Sequence, residues 1–492
     1  MPSSPTLTNP PTPRLVVIVT LVGALLGALL GAVAGPTTDL GEARSGDPAL
    51  IEEVTGLVGD GAGLRTLSVV RATPRGTTYA GLGDLDGSDQ APSPETLYEL
   101  GSITKVFTGM LLADAVERGE MDLDEPVATY LPELAGTSAG AATPRQLATH
   151  TSGMPQLVGG AGTILRSLLG GDVYANDTTE WVLDQSAETE ISPTDTPAYS
   201  NAGTALLGHA TARAAGVDSW IDLLEQRLTG PLGMTDTTIQ LPGTPESTRL
   251  AEPHRASGRS TTTWTGEGYA PAGSSTRTTA ADMGRFATAV LDGTAPGMAA
   301  LDPVLDEDGR GQGLAWVVQD TDAGTITWHN GGTAGSRTMM AVDREAETAA
   351  VVLGNTDQSV DDIGIALASP GHEARDAGPS WGLFTGMPLL VAAVLIFSAW
   401  VGLRGATSRV AAASGAIDAA VGGLIAFVWS PWHLLPHAVA GILPGLAAAT
   451  IVIALWKVPS LPVWPQKRRA VAVVSLALSL VILILIGLAA LR

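Results

Sequence analysis

The 492-residue chain contains no cysteine. Disulfides, thiolate nucleophiles and cysteine-based metal sites are therefore excluded. Its seven histidines form no H-E-x-x-H, so the zinc-hydrolase motif is missing too. Positive charge is also scarce. Residues 381–492 hold seven basic residues and one acid, Asp418; with Arg14 also set aside, 19 basic and 48 acidic residues fall in 36–380, a net −29. Such a surface repels phosphates and argues against a nucleic-acid partner. It suits a soluble domain outside the cell.

Long apolar runs are abundant. Residues 383–403, 410–429, 434–456 and 470–490 each approach the roughly 20 residues that span a bilayer. A further run, 15–35, follows a polar, Pro-rich start and reads as a signal anchor or as a signal peptide cut near Ala32-Val33-Ala34. Arg404 and Arg409 separate two of the C-terminal runs, and Lys457, Lys467, Arg468 and Arg469 separate another two. If both basic loops are cytoplasmic, residues 36–380 lie outside. Six tryptophans (Trp381, Trp400, Trp429, Trp432, Trp456 and Trp464) fall in the last 112 residues, mostly near run ends, as an interfacial belt requires. Membrane lipid is thus an expected partner. Asp418, inside an apolar run, is a functional candidate or a residue facing a bundle interior.

The acidic region reads as α+β. Residues 66–81 suggest two strands joined at Pro74-Arg75-Gly76, and 313–319, 325–329, 337–343 and 347–354 suggest consecutive antiparallel strands. A mostly helical stretch lies between. Strands at both ends around a helical middle predict an antiparallel sheet, flanked by helices and closed by both ends of the region, with a helical subdomain. The expected organisation is an N-terminal signal segment over 1–35, a catalytic domain over 36–370, a linker over 371–382, and a membrane region of four spans over 383–492.

Within "YELGSITKVFTGMLLADAVERGE", Ser102 and Lys105 stand three apart at the start of a helical pattern whose apolar residues Ile103, Val106, Phe107, Met110 and Leu111 share one face. Gly119 supplies a stop. Tyr199-Ser200-Asn201 opens a second helix, and His329-Asn330-Gly331-Gly332 ends a strand. A serine becomes nucleophilic near neutral pH when a desolvated lysine, or a tyrosine held near cations, takes its proton. At a helix N-terminus it also has backbone N–H groups suited to an oxyanion. Glycines after His329 let a backbone N–H approach the same oxygen.

S-I-T-K, Y-S-N and H-N-G, in this order, resemble the S-x-x-K, Y-x-N and K-T-G motifs of serine β-lactamases and penicillin-recognising enzymes. The surrounding "LYELGSITKVFT", "DEPVATYLP", "LATHTSGMP", "AYSNAGTALLG", "PLGMTDT", "PAGSSTRTTAADMGRF" and "WHNGGTAGSRT" resemble the class C β-lactamase-like serine hydrolases over about residues 50–360. The resemblance implies an acyl-enzyme on Ser102, with Lys105 taking or relaying its proton. Tyr199 would assist as base and protonate the leaving group. Asn201 would position the substrate's amide, and the N–H groups of Ser102 and Gly332 would form the oxyanion hole. Asn330 and Gly331 complete the implied substrate-binding segment. No metal and no cofactor is expected. His329 stands where the family has lysine, so a fixed positive charge is lost, which turns the expectation from penicillins toward esters, D-amino-acid amides and cell-wall-type peptides.

Each residue also has a plainer role. Ser102 and Lys105 alone would be a helix cap and a solvated lysine, Tyr199 a packing residue, Asn201 an N-cap, and His329 a strand end. His150, in "ATHTSG", reads as a structural hydrogen-bonding residue, and Asn355 as a strand end, with lining of the site its less favoured reading. Rival functions are a penicillin-type sensor that is acylated without turnover and, less favoured, a transporter with an accessory domain.

Overall fold

The computed structural model describes residues 12–34, 38–85, 88–160, 172–307, 310–321, 324–369, 371, 383–429, 437–464 and 469–491. They divide into two compact units. One is built from residues between Thr38 and Ser369, the other from the N-terminal helix and the residues from Leu383 onward.

The first unit carries twelve strands among its described residues: β1 (Arg44–Gly46), β2 (Thr66–Thr73), β3 (Gly76–Gly83), β4 (Leu97–Glu99), β5 (Thr238–Ile239), β6 (Thr276–Thr279), β7 (Leu305–Glu307), β8 (Arg310–Gln312), β9 (Val317–Thr321), β10 (Gly324–Gly332), β11 (Arg337–Asp343) and β12 (Thr348–Gly354). Nine form one antiparallel sheet in the order β1-β3-β2-β12-β11-β10-β9-β8-β7. Early and late sequence meet where β2 pairs with β12, Val70 opposite Val351. β12 is buried at every position, which explains its uninterrupted small and apolar residues. Successive side chains point to opposite faces. Val69, Met339 and Val352 therefore pack with Leu50 and Ile363, from the helices Pro48–Val58 and Asp361–Ala368. Val70, Met340 and Val351 belong instead to the larger core that holds Phe107, Met283 and Phe286.

Two sequence expectations change. The run 313–319 is not one strand: Ala315 adopts φ +60° and its N–H bonds the Ala148 carbonyl at 3.2 Å, so the extended chain restarts at Val317 and β8 forms separately. The helix Thr104–Glu117 has no single apolar face, because every residue from Thr104 to Ala115 is buried. It runs through the core rather than over it. Its stop is as expected, with Gly119 at φ +70°.

In the second unit the helix Pro13–Ala34 packs on the helix Ile442–Lys457 through matched small residues. Gly23, Gly27 and Gly31 meet Gly441, Gly445 and Ala449; a Cβ on Gly27 would stand 2.6 Å from the Gly445 Cα. Spacing of four keeps each set on one helix face, and lets two backbones approach. Asp418 accepts a hydrogen bond from Ser479 at 2.6 Å. Three helices are long and apolar enough to cross a membrane among the described residues: Pro13–Ala34, Arg409–Val428 and His437–Ser460. Two further apolar helices, Leu383–Arg404 and Arg469–Leu491, occupy the other two expected C-terminal runs.

Candidate active site

Ser102 lies in a single 3-10 turn, Gly101–Ile103, immediately before the helix Thr104–Glu117. The turn is held against the end of β10. Gly101 has φ +62°, a left-handed value that favours glycine, and a Cβ there would stand 2.6 Å from the Gly332 nitrogen. On the other side, a Cβ on Gly331 would overlap the Leu100 carbonyl oxygen and Thr338 Oγ1. Glycine at both positions brings the backbone of Gly332 beside that of Ser102.

One helical turn on, the Lys105 side chain is fully buried. Its Nζ reaches Ser102 Oγ at 3.1 Å and donates to Asn201 Oδ1 and the Ala272 carbonyl, both at 2.7 Å. No carboxylate among the described residues offsets its charge, and burial holds its pKa well below the usual lysine value. Tyr199 Oη donates to Ser102 Oγ at 2.6 Å, and Lys105 Nζ lies 4.8 Å from the tyrosine ring centre. Burial raises the Tyr199 pKa to about 12, with the Ser102 hydrogen bond opposing. Solvent still reaches 45% of the Tyr199 surface, since its ring separates two cavities.

The first cavity, about 300 Å³, is lined by Ser102, Tyr199, Asn201, Asn330, Gly331 and Gly332, among others. Six of the eight residues expected from the motifs thus converge on one space, with Lys105 behind Ser102. His329 is the exception. It lines the second cavity, about 500 Å³, with His150, Trp328 and Leu305. Its Nδ1 lies 2.6 Å from the Asn330 carbonyl; burial first, and the charge of Lys105 second, push its pKa to about 4. The imidazole is neutral near pH 7.

Other assignments change in detail. The N-cap of the helix Asn201–Ala214 is Ser200, whose Oγ accepts from Gly203 N at 2.8 Å. Asn201 is left to hold Lys105 by its oxygen, while its nitrogen donates to Tyr174 Oη at 3.3 Å. His150 is structural: at φ +60° it accepts from Ser200 N at 3.3 Å and packs on the Tyr199 ring with centroids 4.8 Å apart. Burial pushes its pKa to about 3. Asn355 lines neither cavity; it ties Thr66 to the Glu252 carbonyl. Neighbours to which no role was given from the sequence include Tyr174, Trp264 and Arg337 on the first cavity, and Asp361, which accepts from Asn330 Nδ2 at 2.8 Å. Arg337 does fall within the quoted "WHNGGTAGSRT", at the start of β11.

The family profile described as Beta-lactamase matches residues 56–368. Among curated proteins, the D-alanyl-D-alanine-carboxypeptidase/endopeptidase AmpH of Escherichia coli (strain K12) is 32% identical over 155 residues, 31% of this chain and 39% of that protein. Penicillin-binding protein 4 of Amycolatopsis lactamdurans is 33% identical over 153 residues, 30% of this chain and 37% of that protein. The chain thus spans under two fifths of the length of these relatives. Among solved structures, the class C beta lactamase from Rhodobacter sphaeroides is similar with a TM-score of 0.54 at 24% identity, over 63% of this chain and 94% of that one. The beta-lactamase from Sulfitobacter sp. EE-36 gives 0.55 at 22%, over 63% and 93%. Both likenesses concern the fold. With the profile covering more than half of the chain, the protein belongs to the Beta-lactamase family of serine hydrolases.

Proposed function

We propose that residues 36–370 form an extracytoplasmic serine hydrolase, held at a membrane by the apolar helices, that acts through an acyl-enzyme on Ser102. Its substrates are esters, D-amino-acid amides or cell-wall-type peptides. The observation that carries this reading is the set of three partners around Lys105 Nζ. As an ammonium, the group donates to Ser102 Oγ, Asn201 Oδ1 and the Ala272 carbonyl. Burial favours loss of one proton, and the two carbonyl oxygens have none to give back. Two amine hydrogens therefore stay on those oxygens, and the lone pair faces the one partner of the three that can donate, the Ser102 hydroxyl.

The chemistry follows from that arrangement. Lys105 accepts the Ser102 proton as Oγ attacks the substrate carbonyl. The N–H groups of Ser102 and Gly332 face the developing oxyanion. Tyr199, kept as a phenol by its raised pKa and hydrogen-bonded to Ser102 Oγ, protonates the leaving group, and the proton gained by Lys105 replaces the one it gives up. Water then releases the acyl group by the reverse relay.

A membrane-impermeant fluorophosphonate applied to intact cells tests chemistry and sidedness together. Labelling should map to Ser102, remain with the membrane fraction, and vanish in Ser102→Ala along with turnover. Hydrolysis surviving in Ser102→Ala would remove the nucleophile. Labelling only after lysis would place the domain inside. Stable acylation without turnover would mark a sensor instead.

A further inference from the structure

We infer that Arg337 recognises a carboxylate on the substrate, beside the scissile carbonyl, and so sets the specificity of the Ser102 site; this rests on the hydrolase reading above. The motive is a cation without an anion. Arg337 opens β11 opposite Gly332, is half-buried, and lines the same cavity as Ser102. A Cβ on Gly332 would stand 2.9 Å from Arg337 Nη1, so the guanidinium lies against the strand end that adjoins the Ser102 turn.

Its orientation is fixed from behind. Nη1 donates to the carbonyls of Thr333 and Ser336, each at 2.9 Å, which uses both of its hydrogens. Nε and Nη2 carry three more, with no protein acceptor among the described residues. No carboxylate among those residues pairs with the group either. The nearby acids are engaged elsewhere: Asp361 accepts from Asn330, and Asp357 pairs with Arg255 at 3.1 Å. Burial is the leading cause that lowers the Arg337 pKa, with Arg255 adding to it and Asp357 and Asp361 opposing. A planar guanidinium with unused parallel donors in a cleft matches a carboxylate in two hydrogen bonds.

No other described group at the cavity supplies this charge. His329 is neutral and faces the second cavity, Lys105 is enclosed behind Ser102, and the Asn330 nitrogen is held by Asp361. The positive charge missing at position 329 is thus restored further along the same hairpin. Among the expected substrates, those that carry a carboxylate are then preferred.

The test uses the full chain in detergent and two substrates with the same acyl group, one with a carboxylate on its leaving group, the other with a carboxamide in its place. The wild type should favour the carboxylate. Arg337→Gln should lower the carboxylate-to-carboxamide ratio of kcat/KM by roughly 10- to 100-fold, mainly through KM, as expected for a lost charge-assisted hydrogen bond. Arg337→Lys, keeping the charge but not the fork, should recover part of that ratio. A ratio unchanged in Arg337→Gln, with Ser102 still labelled, overturns the inference and leaves the hydrolase reading intact. A wild type that prefers the carboxamide overturns it without any variant. Absence of both labelling and turnover in the wild type would sink the hydrolase reading and this inference together.

Discussion

In the sheet unit, Gly101 and Gly331 bring two backbone segments together around one hydroxyl. In the helical unit, Gly23, Gly27 and Gly31 bring together two whole helices that carry no chemistry at the contact. The same residue serves different ends because the surroundings differ. Around Ser102 the approach leaves room for polar groups with few, directed partners, and any displacement misaligns them. Between the helices, the contact is spread along a face, and its strength is the sum of many weak packing terms. A methyl group should therefore be felt at one place as lost chemistry and at the other as lost association.

Gly331→Ala breaks the comparison most sharply. The added Cβ must push away the Leu100 carbonyl or Thr338 Oγ1, and so the turn that carries Ser102. A misplacement near 1 Å costs on the order of 100-fold in rate. We expect a loss of about that size in kcat/KM and in fluorophosphonate labelling, with the sheet still folded by circular dichroism. Near-normal kinetics would show that the turn adapts freely. Gly27→Leu sharpens the helical side. It should separate Pro13–Ala34 from Ile442–Lys457 and expose the chain to cleavage near Ala34, while Ser102 turnover changes less than about twofold. Mass spectrometry of the N-terminus checks it; wild-type protein already lacking residues 13–34 would refute the pairing.

The smallest effect is a pH slope confined to the sheet unit. His329 and His150 have folded pKa values near 4 and 3, below the ordinary 6.5. Between those limits the unfolded chain binds protons that the folded chain refuses. Their contribution is therefore complete above pH 6.5 and is lost as pH falls toward 4 and then 3. A tenfold difference in proton affinity between the two states corresponds to about 1.4 kcal/mol. Glu99 and Asp361, whose pKa values burial raises, act in the opposite sense. The difference between wild type and His329→Gln isolates the imidazole: the variant should lose less stability between pH 6.5 and 4.5 in chemical denaturation. Equal slopes would mean that His329 is protonated as readily folded as unfolded.

Much of the sheet unit was legible in the sequence. Short, mostly apolar runs at β2, β11 and β12 read as strands, and the spacing of Ser102 and Lys105 placed two groups on one helical turn. The motifs then gathered residues from three distant segments. What escaped depends on contacts that no local pattern encodes. Ala315 breaks a strand because the Ala148 carbonyl holds its N–H. His329 lines only the second cavity, while its neighbour Asn330 lines both, a division made by the Tyr199 ring from a distant segment. Arg337 gains its meaning only from having no carboxylate partner among the described residues, which requires the surrounding acids to be in place first. In the helical unit, composition revealed apolar runs, yet not that the first of them fits a later one.

That fit has a consequence in time. Gly31 leaves the ribosome about 400 residues before Gly441, which at 5–20 residues per second is a delay of roughly 20–80 s. The N-terminal helix must wait in its surroundings, unmatched, while the entire sheet unit is made. If Ala32-Val33-Ala34 is a peptidase site, that interval is when it can be cut, and arrival of the glycine face on Ile442–Lys457 closes the window. The ratio of chains with and without their first helix is then a clock, set by the rate of synthesis against the rate of cutting.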